Sequence, residues 1–393
     1  MANDDPIRFD NWSQGANNMA SEDRLPEGFV RSLVNLDPGA GGNIDLRSGY
    51  EKVVDVAGVR GCYAIGKRVV VVADGGIMSY DTATDSSSEL GSALGGGSLS
   101  GVEHNGQLYL STLKDSLRSD GYSLKQWGIP EPAYSVEAVD AGGLTGTFKV
   151  AVTALVDGVE SGASVSVLTL TEQSLRISST DARVLRVYVS AQNASSLYYQ
   201  GVLTRGELDI LKPVDDSAQL ESGWMMPFPH CTQLTSYHGV ILGAGDKCLY
   251  ISEPMRPHLI DISRGFFQYP VTPSMVVASD GGVYVSADRI YFLADLEGAQ
   301  PVQRVVSEYP AVAGTGVKLP DGRCAWFTRY GQAVGDQLGQ VQLLNAGKYA
   351  PTIAARGTAG FLDHNGNSLV VTAMRGRTES NNLATGDFAE LEM

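Results

Sequence analysis

The stretch GCYAIGKRVVVVADGGIMSYD, residues 61–81, sets two apolar runs around Asp74-Gly75-Gly76. Asp-Gly and Asn-Gly supply the positive φ that tight hairpin turns demand, so this stretch reads as two antiparallel strands and a turn. The same grammar recurs in VEHNGQLYLST around Asn105-Gly106 and in VILGAGDKCLYIS around Gly245-Asp246. It returns in MVVASDGGVYVSADRIYFL around Asp280-Gly281, in VKLPDGRCAWFT around Asp321-Gly322 and in GFLDHNGNSLVVTA around Asn365-Gly366. Successive signals lie roughly 30 to 45 residues apart, close to the period of a four-stranded propeller blade. The expected class is therefore all-β, a β-propeller of about six blades.

One interval, from Gly106 to Gly245, breaks the rhythm. GIPEPAYSVEAV opens a segment of different texture there, ending near Gly223. Within it Phe148, Val150, Val152 and Ala154 alternate with Lys149, Ala151 and Thr153. Leu185, Val187 and Val189 alternate likewise with Arg186, Tyr188 and Ser190, and each set reads as a strand with one face in a core. About seven short strands in roughly 90 residues describe an immunoglobulin-like sandwich. The run from Val156 to Gly162 resembles fibronectin type III domains. Removing the segment leaves an interval of about one blade, so the propeller is expected to continue around an insert. The partition is an extended N-terminal arm at 1–50, a first propeller part at 51–130, a fibronectin III-like insert at 131–222 and a second propeller part at 223–393.

The chain has 393 residues, 43% apolar and 19% charged, which excludes a disordered tail. Lys and Arg number 29 against 44 Asp and Glu, a formal charge of −15. Such a balance argues against a nucleic-acid binder, which must neutralise phosphates, but suits a conduit along which DNA slides without sticking. Cys62, Cys231, Cys248 and Cys324 are too sparse for a disulfide scaffold and read as reduced, buried thiols. No apolar run reaches membrane-spanning length, and the acidic start MANDDPIRFDNW is unlike a secretion signal, so synthesis in the cytosol without membrane insertion is expected.

His230, Cys231, His238 and Cys248 fit no standard zinc spacing, and His104 and His364 read as exposed residues before Asn-Gly turns. Asp4-Asp5, Glu22-Asp23 and Asp215-Asp216 are neighbours in loops, which does not set two carboxyls across a scissile bond. No serine elbow, Walker loop, dinucleotide fingerprint, sialidase-type Asp box, WD or kelch signature occurs. No cofactor, no metal and no enzymatic activity are expected. Trp12, Trp127, Trp224 and Trp326 read as seals of a core or an interface rather than a sugar platform. In the arm, Phe9, Trp12, Leu25, Phe29 and Leu33 are apolar residues that need a surface, and they are the candidate interface anchors.

The arm also carries a resemblance. Asn11-Trp12-Ser13-Gln14-Gly15-Ala16-Asn17-Asn18, then Leu25-Pro26-Glu27-Gly28, Val34-Asn35-Leu36-Asp37 and the run from Gly42 to Tyr50 resemble the opening of tail hub or nozzle proteins of short-tailed bacteriophages. The resemblance implies a virion structural protein with a propeller body that accepts inserted sandwich domains. It further implies a homo-oligomeric ring, usually of six copies, around the DNA exit channel. Partners would be the portal and adaptor, other tail-tube proteins and tail fibres, with genomic DNA only passing through an acidic lumen during ejection. The alternatives left open are a receptor- or carbohydrate-binding tail module and a glycan hydrolase.

Overall fold

The computed structural model describes residues 11–375 and 389–391, apart from 39, 40, 48, 50, 51, 297, 299, 300, 345, 350–353, 365 and 366. The fold is all-β, and among the described residues the one helical turn is a 3-10 turn at Glu22–Arg24. Five four-stranded antiparallel sheets occupy residues 59–91, 100–126, 233–268, 275–307 and 317–343, and a three-stranded sheet occupies 356–391. Their first strands begin at Val59, Ser100, Gln233, Met275, Val317 and Arg356, a repeat of about 40 residues outside the insert. In all but one, consecutive strands pair as a meander, and in sheet 233–268 the strand Leu259–Ile260 leaves to pair with Met226–Pro227.

The turn chemistry follows the sequence only in part. Asn105 and Gly106 adopt φ of 51° and 73°, the left-handed pair that a two-residue hairpin requires. The turn expected at Gly245-Asp246 falls one residue later, on Asp246 and Lys247 at 46° and 65°. His238 and Gly239 form another such pair, at 42° and 85°. Asn365-Gly366 lies outside the described residues, flanked by the paired His364 and Asn367.

The contacts divide the chain into two compact units, one of residues 1–57 with 269–393 and one of residues 58–268. This grouping cuts the expected second propeller part between Gln268 and Tyr269. In the 58–268 unit the first strands of successive sheets are neighbours, Val59–Ile65 beside Ser100–His104 and the latter beside Gln233–Tyr237. In the other unit Met275–Ala278 lies beside Val317–Lys318, which lies beside Arg356–His364.

A short repeat holds neighbouring sheets together. Leu108-Tyr109-Leu110-Ser111, Val283-Tyr284-Val285-Ser286 and Ala325-Trp326-Phe327-Thr328 each end the second strand of their sheet and are buried. The aromatic ring enters the core, and the hydroxyl at the end takes up backbone polar groups. Ser111 Oγ accepts from the Cys231 N–H at 2.9 Å, and Ser286 Oγ accepts from the Ala311 N–H at 2.9 Å. Each bond reaches the segment leading to the next sheet of its unit. Gly335 completes the fit, because a Cβ there would stand 2.5 Å from the Tyr284 ring and 2.7 Å from Trp326.

The insert, residues 135–210, is one hydrogen-bonded path in place of seven short strands. Ser135–Val156, 22 residues long, pairs with Val165–Ser179 from Ser135 to Ala151, and both strands bend where the register shifts between Val139 and Gly146. Val184–Ser190 and Leu197–Leu203 extend one half of this bent hairpin and Gly206–Ile210 the other, so that Phe148, Val150, Val152, Leu175, Ile177 and Ile210 share one core. The expectation of a single buried face on Phe148–Ala154 does not hold. Ala151 and Thr153 are fully buried as well, and Tyr188 is 3% exposed, because the segments around Ala163, Leu197 and Leu220 fold over that side. Backbone bonds from Tyr199 to Ala218, from Leu220 to Leu197 and from Trp224 to Ala163 fasten this cover.

Candidate functional site

The proposed arm anchors separate on inspection. Phe9 lies outside the described residues. Gly15–Ala16 pairs in parallel with Phe29–Val30, so Phe29 is buried at 9% beneath the Lys348 ammonium, 5.2 Å from its ring centre. Lys348 belongs to the same unit as the arm, which is therefore docked on its own chain. Trp12, Leu25 and Leu33 are half-buried, and the Trp12 N–H donates to the Gly42 carbonyl at 2.8 Å. The arm instead leaves Met19, Val34 and Leu46 outward, 57% to 80% exposed. Leu46 stands on the hairpin made by Leu36–Pro38 and Ile44–Leu46, which Arg47 braces on Asp37 at 3.0 Å, and Val34 lies two residues before its first strand.

Three histidines hold hydrogen bonds between separate segments, His104, His230 and His258. His104, expected in an exposed loop, is 4% exposed, because its Nδ1 pairs with Ser236 Oγ at 2.8 Å across two sheets. His230 Nδ1 pairs with Ser116 Oγ at 2.7 Å. The thiols are less uniformly buried than expected: Cys231 and Cys324 are buried, Cys248 is half-buried and Cys62 is exposed, since Cys62 alternates outward on the first strand. Burial pushes the Cys324 thiol up to about 12 and leaves it unreactive. Among the described residues no group of three or more His, Cys, Asp or Glu could hold a metal ion. Trp127 and Trp326 are 1% exposed, whereas Trp224 is 67% exposed.

The feature with most chemistry is a cleft of about 370 Å³ inside the 58–268 unit. Its floor comes from sheet 100–126. Tyr109 and Arg118 face each other across neighbouring strands, and Trp127 follows the sheet's last strand. Trp127 stacks on Phe228 at 5.0 Å and donates its indole N–H to the Pro257 carbonyl at 2.9 Å, which ties the floor to the 255–258 wall. The insert's turn, Gly158 to Glu160, forms the opposite wall. His258 Nε2 meets the Glu160 carbonyl at 2.8 Å and joins the two walls.

The cleft is cationic in a strongly acidic chain. The Arg118 side chain has no hydrogen bond or ion pair among the described residues, and its Nε is enclosed without a partner. Arg256 carries Glu221 at the rim. The Glu160 carboxylate turns from the cleft to Thr153 Oγ1 at 2.5 Å and Tyr188 OH at 2.6 Å. Burial lowers the His258 imidazole below its ordinary range, and the nearby Arg118 and Arg256 charges press the same way. Met255 at the mouth is 87% exposed with φ of 62°, in a turn bridged between Glu253 and Arg256.

Sequence reasoning did not find this cleft, because its residues come from three separated stretches. The aromatic-to-Ser repeat was legible as LYLS, VYVS and AWFT once aligned by strand. A second, more open groove of about 650 Å³ runs along the insert beside Lys149, Asn193, Tyr198 and Asp215.

No family model matches the chain, and no curated protein matches its sequence. Among solved structures, apo AztD from Citrobacter koseri shares 12% identity at a TM-score of 0.34, over 78% of this chain and 78% of that one. Kluyveromyces lactis Hsv2 shares 8% at 0.31, over 86% of this chain and 98% of that one. The N-terminal domain of Nup159 shares 12% at 0.30, over 81% and 73%. At such identities and scores, the description of the fold rests on the sheets themselves.

Proposed function

We propose that this chain is a non-enzymatic structural protein of a bacteriophage tail, a hub or nozzle whose four-stranded sheets are propeller blades and whose 131–222 module is a fibronectin III-like insert. The observation that carries the reading is the neighbouring of first strands from one sheet to the next within each unit. In a propeller those strands line the axis and the fourth strands face outward. The N-terminal resemblance supplies the phage context. Copies of the chain close into a ring, usually of six, in which one face of a protomer meets a different face of the next. The outward Val34 and Leu46 are the arm's contribution to that contact. The acidic balance of the chain keeps a lumen from retaining DNA.

Sizing the full chain beside a Val34→Asp/Leu46→Asp variant tests this reading. A ring that the variant breaks into monomers is the expected result. Monomers from the parent chain at tens of micromolar would remove it. A second reading, a receptor- or carbohydrate-binding tail module, is favoured by one observation, the cationic cleft at Arg118.

A further inference from the structure

We infer that the cleft at Arg118 binds the carboxylate of a small organic acid of about the size of one sugar residue, as in an acidic sugar. The charge inventory of the cleft leads there. Arg256 is answered by Glu221, and Lys125, opposite Arg118 in the sheet, faces Asp157 at 3.8 Å. Glu160 spends its carboxylate on Thr153, Tyr188 and Arg186. What remains is one guanidinium without an acceptor, whose Nε is closed off from solvent and whose two terminal nitrogens are the donors left open to the cleft. The planar fork of arginine fits a carboxylate through two parallel hydrogen bonds.

A single unanswered positive charge suits a monoanion better than a doubly charged phosphate. The surroundings suit an organic body, because Tyr109, Val159, Met255 and Pro257 line the space beside the guanidinium. Its volume, about 370 Å³, lies within the usual range for small-molecule sites. The inference rests on the binding-module reading for its biological sense and on the cleft for its chemistry.

The test is calorimetric titration of the full chain with glucuronate, with glucose and inorganic phosphate as comparisons. Glucuronate should bind at least tenfold more tightly than either. Arg118→Gln should lose at least tenfold of that affinity, and Arg118→Lys, which keeps the charge without the fork, should fall between. Val159→Trp fills the cleft while leaving Arg118 in place, and it should also abolish binding, which keeps the test decisive if Arg118→Gln unfolds. Equal binding of glucuronate and glucose, tighter binding of phosphate, or binding indifferent to both variants would overturn the inference. Adhesion of the chain to surfaces coated with acidic polysaccharide tests the module reading separately. Glucuronate bound in solution without such adhesion keeps the site and removes the module.

Discussion

Ser286 and Ser111 show how much one hydroxyl can organise. Each is fully buried and accepts a backbone N–H from the segment that begins the next sheet. Replacing either by alanine leaves that N–H without its partner, a loss of about 1–3 kcal/mol in unfolding free energy, read by urea denaturation. Gly335→Ala should cost a similar amount by forcing Tyr284 and Trp326 apart. Met255 makes the opposite prediction. Its left-handed backbone favours glycine, so Met255→Gly should raise the melting temperature while weakening glucuronate binding. An unchanged affinity would show that Met255 is no part of the cleft. The histidines set the pH response. His104 and His258 are both held below their ordinary value by burial, so the unfolded chain takes up more protons near and below pH 6.5. Stability contributed by their neutral forms is full above that pH and is lost as the pH falls below it through their lowered native values. Thermal melts across this window should show the loss, and His258→Gln should flatten part of it.

At the scale of elements, hairpins were legible wherever local turn chemistry decides the backbone. Asn105-Gly106 is read correctly because both residues accept positive φ. His238-Gly239 makes the same turn without an Asn or Asp to announce it. The insert shows where turn chemistry alone falls short. Asp140-Ala141-Gly142-Gly143 looks like a turn, yet the strand Ser135–Val156 runs through it as an irregularity that bends the sheet. Gly142 is needed there for close approach, since a Cβ would stand 2.8 Å from the Gln173 carbonyl. Turn residues mark both bends and reversals, and only strand partners distinguish them. The insert's core draws on both halves of the bent hairpin and on its cover. Residues 128–226 expressed alone should therefore fold, with dispersed amide resonances and a cooperative melt, and a collapsed spectrum would contradict that. The Arg118 cleft was invisible in the sequence for the same physical reason as the bend. It is built from one sheet, one hairpin turn and one loop that only the fold brings together.

At the scale of the whole molecule, the described residues form five four-stranded antiparallel sheets and one of three strands, interrupted once by the insert. That regularity was readable from turn spacing, whereas the grouping into two compact units was not, because long-range packing decides it. The arm illustrates the same limit. Its apolar residues need a surface to bury against, and Phe29 finds one on its own chain, whereas Met19, Val34 and Leu46 stay exposed. The account therefore joins an all-β scaffold, established by its sheets, to a proposed role as tail masonry. Electron cryomicroscopy of the purified full-length chain tests that join most directly. The account predicts closed rings of identical copies, each copy a radial array of sheets with one sandwich lobe attached. Isolated particles that never assemble, or copies whose sheets are not arranged about an axis, would contradict it.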